Sequence, residues 1–394
     1  MKYIKEMQKL LRKNMRDYGM YIAFVVIIII FTVLTDGIFL SSRNISNLIN
    51  QTGYIAVLAV GMTLVIIIRH IDLSVGFVAG FLGAIAAIMM TQWEWSEWLA
   101  MPAIIIIGAG IGILYGLLIS KIGVPAFVVT LAGMMVFRGL LLFATEETGT
   151  IIIPNQAFNA IGNGFIPDTS ENDGYHIITL LIGAIGIVLF IISQNASRKS
   201  SVKYGFEVIS KPIYIVKLVF ISAIIGTVVF ILAGYNGLSW TVVVMIVVAL
   251  MYSFLMNKTT IGRHIYGVGG NPEAAALSGI NVSKITMFVF SSMGALAALS
   301  GILYAARLQS ATTTAGTAFE LDAIAAAYVG GVSASGGVGK VTGSIIGALV
   351  MMSLTNGMNL MGIGISLQYV VRGLILVLAV IFDITTRKRS LKAA

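Results

Sequence analysis

The chain has 394 residues, of which 58% are apolar and only 10% charged, and its mean hydropathy is +0.97. Such a composition excludes an ordinary soluble globular domain and marks a polytopic integral membrane protein. The net charge of +9 does not call for nucleic acid, because its distribution follows membrane topology, and the lack of cysteine excludes disulfides, thiolate metal sites and cysteine nucleophiles.

The chain opens on a basic segment, residues 1–17, with Lys2, Lys5, Lys9, Arg12, Lys13 and Arg16. No small-residue cleavage site follows, so the apolar run 18–35 reads as a retained first span rather than a signal peptide. Further runs long enough to span lie near 52–68, 74–91, 101–119, 125–144, 177–193, 213–233, 237–256, 285–305, 341–361 and 365–383, with a shorter one at 321–335. The prediction is an all-α bundle of about twelve transmembrane spans, at about 20 residues each, filling a membrane domain over 18–386. A basic tail, 387–394, closes the chain.

Between the second and third runs, Arg69, His70, Asp72 and Ser74 interrupt the apolar flow. Asp72 is placed to cap the helix that begins after it, with coupling or gating as the alternative. Gly76 and Gly80, then Gly108, Gly112 and Gly116, and later Gly343 and Gly347 recur at four-residue spacing, which lets helix backbones approach closely in lipid. Trp93, Trp95 and Trp98, just past a span, read as an interfacial aromatic belt. Arg138 in the fifth span and Arg372 in the last are functional candidates because ionisable groups at membrane depth are costly. Arg307 at the outer end of the ninth span, and Glu320 and Asp322 flanking the short run, are candidates on the same ground, with a place at the interface or pairing with one another as the competing reading. No carboxylate falls clearly in mid-span.

Basic residues cluster at 2–16, 198–217, 258–284 and 387–392, whereas the 145–176 loop holds Glu146, Glu147, Asp168, Glu171 and Asp173 and no Lys or Arg. By the positive-inside rule both termini and the 257–284 loop are cytoplasmic and the acidic loop faces outward. An even number of spans agrees with this.

The cytoplasmic loop contains a soluble-looking island, Gly262 to Lys284. Asn271 is a good N-cap, Pro272 suits the first helical position, Glu273 adds negative charge at the positive end of the dipole and Gly279 can close the far end in the left-handed conformation. A two-turn helix over Pro272 to Ser278 is marginal alone and would form only by packing, which points to a partner. The glycine run 330–343 resembles a phosphate loop but fails it, with Ala334 at the first glycine and Val341 after Lys340. GVGGNP at 267–272 fails as a dinucleotide fingerprint, with Pro272 at the third glycine. Any ATP must therefore be bound by another polypeptide. His70, His176 and His264 are too scattered for a metal cluster. Asn356 and Asn359, three apart on one helix face, suit either hydroxyl groups of a solute or helix–helix hydrogen bonding.

IDLSVG at 71–76, TLAGMMVFRG at 130–139, GRHIYGVGGNPEAAALSGINV at 262–282, ELDAIAAAYVGG at 320–331 and SGGVGKVTGSIIGAL at 335–349 together resemble permease subunits of bacterial ATP-binding-cassette importers for monosaccharides. The branch is that for ribose, xylose, arabinose and galactose, and the extra length over 177–233 is similar to the two-span addition of the longer xylose and multiple-monosaccharide permeases. The resemblance implies a cell-membrane subunit that pairs with a second copy in the lipid and works with a cytoplasmic ATPase and an extracellular or periplasmic sugar-binding protein. It implies no cofactor, metal or catalytic site. Gly269, Asn271, Pro272, Glu273, Ala274 and Ala275 fall on the family's ATPase-coupling motif, which Ser278 and Gly279 complete; Lys340 departs from the small polar residue expected there. Arg138, Asp72, Ser74, Asn356 and Asn359 are the substrate-path candidates. The alternatives are an ion-coupled secondary sugar transporter, which would bury carboxylates, and a membrane enzyme or flippase built on Asp72, His70 and Arg69.

Overall fold

The computed structural model describes residues 15–168, 174–206 and 208–393. The basic residues before Met15, and Glu171 and Asp173 of the acidic loop, lie outside the described residues. In chain order the elements are α1 (Met15–Leu34), α2 (Ser42–Ile67), α3 (Val75–Thr91), α4 (Glu97–Leu117), α5 (Ala126–Ala144), β1 (Thr150–Ile152), α6 (Gln156–Asn163), α7 (Ile177–Lys203), α8 (Lys211–Ala233), α9 (Trp240–Lys258), α10 (Thr260–Gly270), α11 (Pro272–Leu277), α12 (Val282–Leu308), β2 (Ser310–Thr312), α13 (Phe319–Val329), α14 (Val341–Leu360) and α15 (Ile365–Ala393).

Nine of these helices are long and apolar enough to cross a membrane, and Met20–Leu34 of α1 and all of α3 are shorter apolar helices. The eleven residues of α13 reach only roughly 16 Å, about half a hydrocarbon core. Non-helical Gly330–Lys340 carries that crossing on to the start of α14. Among the described residues, nine long helices, two shorter apolar ones and this broken crossing agree with the dozen that the sequence predicts. Lys203, Lys211, Lys258, Arg263, Lys284 and Lys340 lie at helix ends on one face, and Asp36, Glu94, Glu97, Glu146 and Asp168 on the other. These are called the basic and acidic faces below.

Local chemistry sets seven of the fifteen helix starts among the described residues. Side chains of Ser41, Asn155, His176, Ser239, Thr259, Asn271 and Asn281 each accept a hydrogen bond from a backbone N–H of the first turn that follows. On the acidic face β1 and β2 pair antiparallel, Ile151 opposite Ala311, and tie the loop after α5 to the end of α12.

Three boundaries differ from the sequence reading for physical reasons. α2 begins at Ser42 rather than near 52, because Asn44, Ser46, Asn50 and Thr52 are buried against protein. α7 runs past 193 to Lys203, carrying Arg198 and Lys199 beyond the apolar run. The island holds two helices, since α10 forms despite four glycines. Gly262 and Gly269 belong there because other backbone lies where their Cβ atoms would stand.

α2, α12 and α14 form the buried centre, whereas α7, α8 and α15 expose most of their length. The glycine spacing serves close packing, as expected. Cβ atoms on Gly108 and Gly112 of α4 would stand 2.4 Å from the Gly294 and 2.0 Å from the Phe290 carbonyl oxygens of α12, and one on Gly347 of α14 would stand 1.9 Å from the Ala326 oxygen of α13. The α7–α8 hairpin packs mainly on itself and touches α2 through α8.

Two helices start inside the bundle. Val75, at the head of α3, lines a small void with Gly294 and Ala297, near the middle of α12, and Ala79 abuts Gly301. Phe319, at the head of α13, packs its ring 5.0 Å from that of Tyr54, halfway along α2. The two heads meet, since a Cβ on Gly76 would stand 2.3 Å from the Gly316 oxygen and 2.4 Å from the Glu320 Oε2.

Gly112→Leu is expected to overpack the α4–α12 contact by about 1–3 kcal/mol or more and lower the thermal unfolding midpoint in detergent. Gly110→Leu, with nothing within 4 Å of its Cβ position, is expected to leave that midpoint near wild type.

Candidate functional site

The heads of α3 and α13 present the positive ends of two helix dipoles inside the bundle, and the chain places carboxylates there. Asp72 is buried and its Oδ1 accepts from the Ser74 backbone N–H at 2.9 Å and from the Ser74 hydroxyl at 2.7 Å. It therefore closes the turn before α3 rather than capping the helix, as the sequence reading had it. Ser74 occupies the cap position without a side-chain bond.

Glu320 and Asp322 fall in the first turn of α13 and are both buried, which favours membrane depth over the interface for them. It also corrects the reading that no carboxylate lies at mid-depth. Oε2 of Glu320 has no hydrogen-bond partner. Asp322 does not pair with Glu320. Its Oδ2 and Oδ1 accept from Nη1 of Arg372 on α15 at 3.2 and 3.4 Å.

The remaining substrate-path candidates fall elsewhere. Arg138 is on the exposed side of α5, its guanidinium 5.6 Å from the centre of the Phe77 ring. Asn356 is buried and exchanges reciprocal amide hydrogen bonds of 2.9 and 3.1 Å with Asn44 of α2, so α2 and α14 share a neutral polar clasp. Asn359 is exposed, and its Oδ1 accepts from the Gln368 amide at 2.7 Å. Only Asp72 and Ser74 of the five are joined.

The coupling candidates are contiguous and built as the residues suggest. Asn271 Oδ1 accepts from the Ala274 N–H at 3.0 Å, Pro272 takes the first position, the Ser278 hydroxyl donates to the Ala274 carbonyl at 2.8 Å, and Gly279 has φ +84°. α11 buries Ala275 and leaves Leu277 91% exposed. Its base is a three-way junction. Arg69, in the left-handed region at φ 67°, donates through Nε to the Gly269 carbonyl at 2.7 Å and through Nη2 to the Gly270 carbonyl. These carbonyls end α10, where a cation is favoured by the dipole. The Gly337 N–H donates to the Ile67 carbonyl at 2.9 Å, and the Tyr266 hydroxyl donates to the Gly339 carbonyl at 2.7 Å. Burial pushes the Tyr266 phenol upward, which keeps it a donor.

The end of α2, the base of α11 and the glycine run therefore touch through backbone. A Cβ on Gly269 would stand 1.9 Å from the Ile67 oxygen and 2.7 Å from the Gly337 nitrogen. These contacts join an exposed two-turn helix to both interrupted crossings. Sequence reasoning marked Arg69 and the glycine run as interruptions but missed that they support α11. The sequence signal was a charged residue and a glycine cluster at the two breaks.

The family model for the branched-chain amino acid transport system permease component matches residues 44–380. The chain is 40% identical over 384 residues to the xylose transport system permease protein of Haemophilus influenzae, covering 97% of this chain and all of that one. It is 38% identical over 377 residues to the xylose transport system permease protein of Escherichia coli, 96% of this chain and 94% of that one. With the ribose import permease protein of Escherichia coli the identity is 35% over 362 residues, 92% of each chain. No solved structure matches it significantly.

Asn44→Leu strands the buried Asn356 amide and is expected to cost about 1–3 kcal/mol in thermal or denaturant unfolding. The double variant with Asn356→Leu is expected to recover much of that loss, which a clasp predicts and two independent roles do not.

Proposed function

This chain belongs to the branched-chain amino acid transport system permease family, and we propose that it is the membrane subunit of an ATP-binding-cassette importer that carries a monosaccharide of the xylose kind into the cytoplasm. The names of the xylose and ribose relatives support the substrate class. The observation that carries the mechanism is α11, a capped helix on the basic face that is locked at its base to both interrupted crossings.

On this reading the basic face is cytoplasmic, both termini with it, and a separate ATPase subunit grips α11 through Glu273 and Leu277. Gly269, Asn271, Pro272, Ala274, Ala275, Ser278 and Gly279 build and hold the helix that is gripped. Closure of the ATPase displaces α11, and the Arg69–Gly337 junction passes that displacement to the α2–α3 link and to the glycine run. The half-helices α3 and α13 then shift against one another. Such coupling needs contacts that differ between two states, and a backbone junction cannot yield without moving both neighbours.

The unit is a homodimer of permease chains in lipid, supplied by a sugar-binding protein on the acidic face, with 1–17 and 387–394 as cytoplasmic flanks of a permease domain over 18–386. Within it the loop 257–284 couples, the loop 145–176 faces outward, and 177–233, the self-packed α7–α8 hairpin, is a two-span addition to the core. ATP hydrolysis belongs to the partner. Asp72 and Ser74 border the shifting region. Arg138, Asn356 and Asn359 serve packing more directly than passage. One observation favours a second reading, ion-coupled secondary transport: Glu320 is buried with an unpartnered oxygen, as a proton or cation carrier requires.

Copurification from the native membrane followed by uptake in proteoliposomes separates the readings. ATP-driven xylose uptake is expected only with ATPase and binding protein both present; uptake by this chain alone, driven by an ion gradient, would overturn the importer. Glu273→Arg and Leu277→Asp are expected to weaken capture of the ATPase by about tenfold or more. Arg69→Gln is expected to retain the ATPase yet lower uptake per ATP hydrolysed, since it cuts the junction and not the docking surface.

A further inference from the structure

A second site rests on the last helix. α15 exposes most of its length, with Val370, Leu374 and Leu378 each more than half accessible. Within that apolar surface stand Arg372 and, three residues earlier, Tyr369, a residue 45% exposed whose ring centre lies 5.9 Å from the guanidinium. Behind them is the buried Asp322 at the head of α13. Together with Leu321, Ala325 and Met351 these residues line a cavity of about 60 Å3.

Position makes this group unusual. Arg372 is seven residues into α15, about 10 Å along the helix from its acidic-face end, and so within membrane depth. A guanidinium and a carboxylate there are costly against lipid and are found facing a bundle interior or a water-filled passage. The pair is only partly saturated. Nη1 of Arg372 bonds Asp322, while the buried Nε has no acceptor. A guanidinium carries five donors and a carboxylate about four acceptor sites, so both have capacity left. An aromatic ring beside them offers an apolar face.

That combination suits a monosaccharide. A carboxylate accepts from vicinal hydroxyls, a guanidinium donates to hydroxyl or ring oxygens, and an aromatic face covers the C–H side of the sugar ring. A hydroxyl-bearing edge of the sugar enters the cavity while its ring rests on the exposed Tyr369 at the rim.

We propose that Asp322, Arg372 and Tyr369 form a sugar-contact site on the transport passage, in place of the asparagines of α14. The proposal rests on the monosaccharide-permease reading for its ligand. It stands apart from that reading in placing this side of α15 against water rather than lipid.

The lack of native cysteine allows a direct test. In the complete transporter in proteoliposomes, Tyr369→Cys is expected to react with a water-soluble thiosulfonate about tenfold or more faster than Leu189→Cys on the exposed surface of α7, and xylose is expected to slow that reaction. Failure to label would overturn the passage, whatever the fate of the importer reading. Labelling unaffected by xylose, in a complex whose wild type imports xylose, would overturn the sugar contact alone. If the wild type imports no sugar with ATP, the importer reading fails first.

Function supplies a second arm. Tyr369→Ala, a change to a half-exposed ring, is expected to lower maximal xylose uptake about tenfold at unchanged affinity of the binding protein. Exchanging the pair, Asp322→Arg with Arg372→Asp, is expected to restore more folded protein than either single change and not to restore uptake. Full uptake by the exchanged pair would make it a structural clamp, and full uptake by Tyr369→Ala would remove the ring from the site; either result overturns the proposal.

Discussion

The meeting of two helix heads inside the bundle is the constraint on which the rest of the structure depends. A helix that begins at membrane depth leaves its first N–H groups without intrahelical partners and its dipole uncompensated, and lipid can satisfy neither. The chain answers the dipole at both heads with carboxylates. Asp72 accepts from the Ser74 N–H before α3, and Glu320 and Asp322 occupy the first turn of α13. Buried carboxylates then require their own compensation, which for Asp322 is Arg372 on α15. The close approach of Gly76 to Gly316 follows from the same geometry, since a side chain there would hold the two heads apart.

Non-helical backbone at depth must be buried in protein or line a cavity. Both interrupted crossings meet that requirement by leaning on each other near the basic face. Ile67 offers its carbonyl to Gly337, and Arg69 turns back to the carbonyls that end α10. The junction is thus a consequence of breaking two helices, not an addition to them. Because it also carries α11, any force applied to that exposed helix reaches the two places where the bundle lacks a continuous helical ladder. Elsewhere α12 is packed on α4 through backbone contact at Gly108 and Gly112 and has little room to yield.

The parts legible in the sequence were those written in local chemistry. Apolar runs located the spans, and Asn271, Pro272 and Gly279 outlined α11 closely. What stayed hidden depended on residues far apart in the chain. Asn44 and Asn356 are 312 positions apart, and their polarity, read locally, shortened α2 by several turns and suggested a solute contact for α14. Asp322 and Arg372 are 50 apart, and nothing in either neighbourhood says that they pair. α10 was obscured by its own glycines, which lower helix propensity but are required where Ile67 and Gly337 come against the helix. Polar residues in this chain thus read correctly where they act on their own backbone, and misread where they act across the bundle.

The same distinction bears on how a passage can carry a sugar without trapping it. An unpaired buried charge would either exclude the solute for lack of complementarity or hold it tightly, because leaving costs the full desolvation of the site. A carboxylate already bonded to a guanidinium avoids both. At the proposed contact site a solute would exchange with water at the remaining donors and acceptors while the pair itself persists, so little net free energy would be gained and little would have to be given back. High affinity can then reside with a protein outside the membrane. The membrane subunit needs only a few polar groups in its spans, held where two helix heads and one arginine make their burial tolerable.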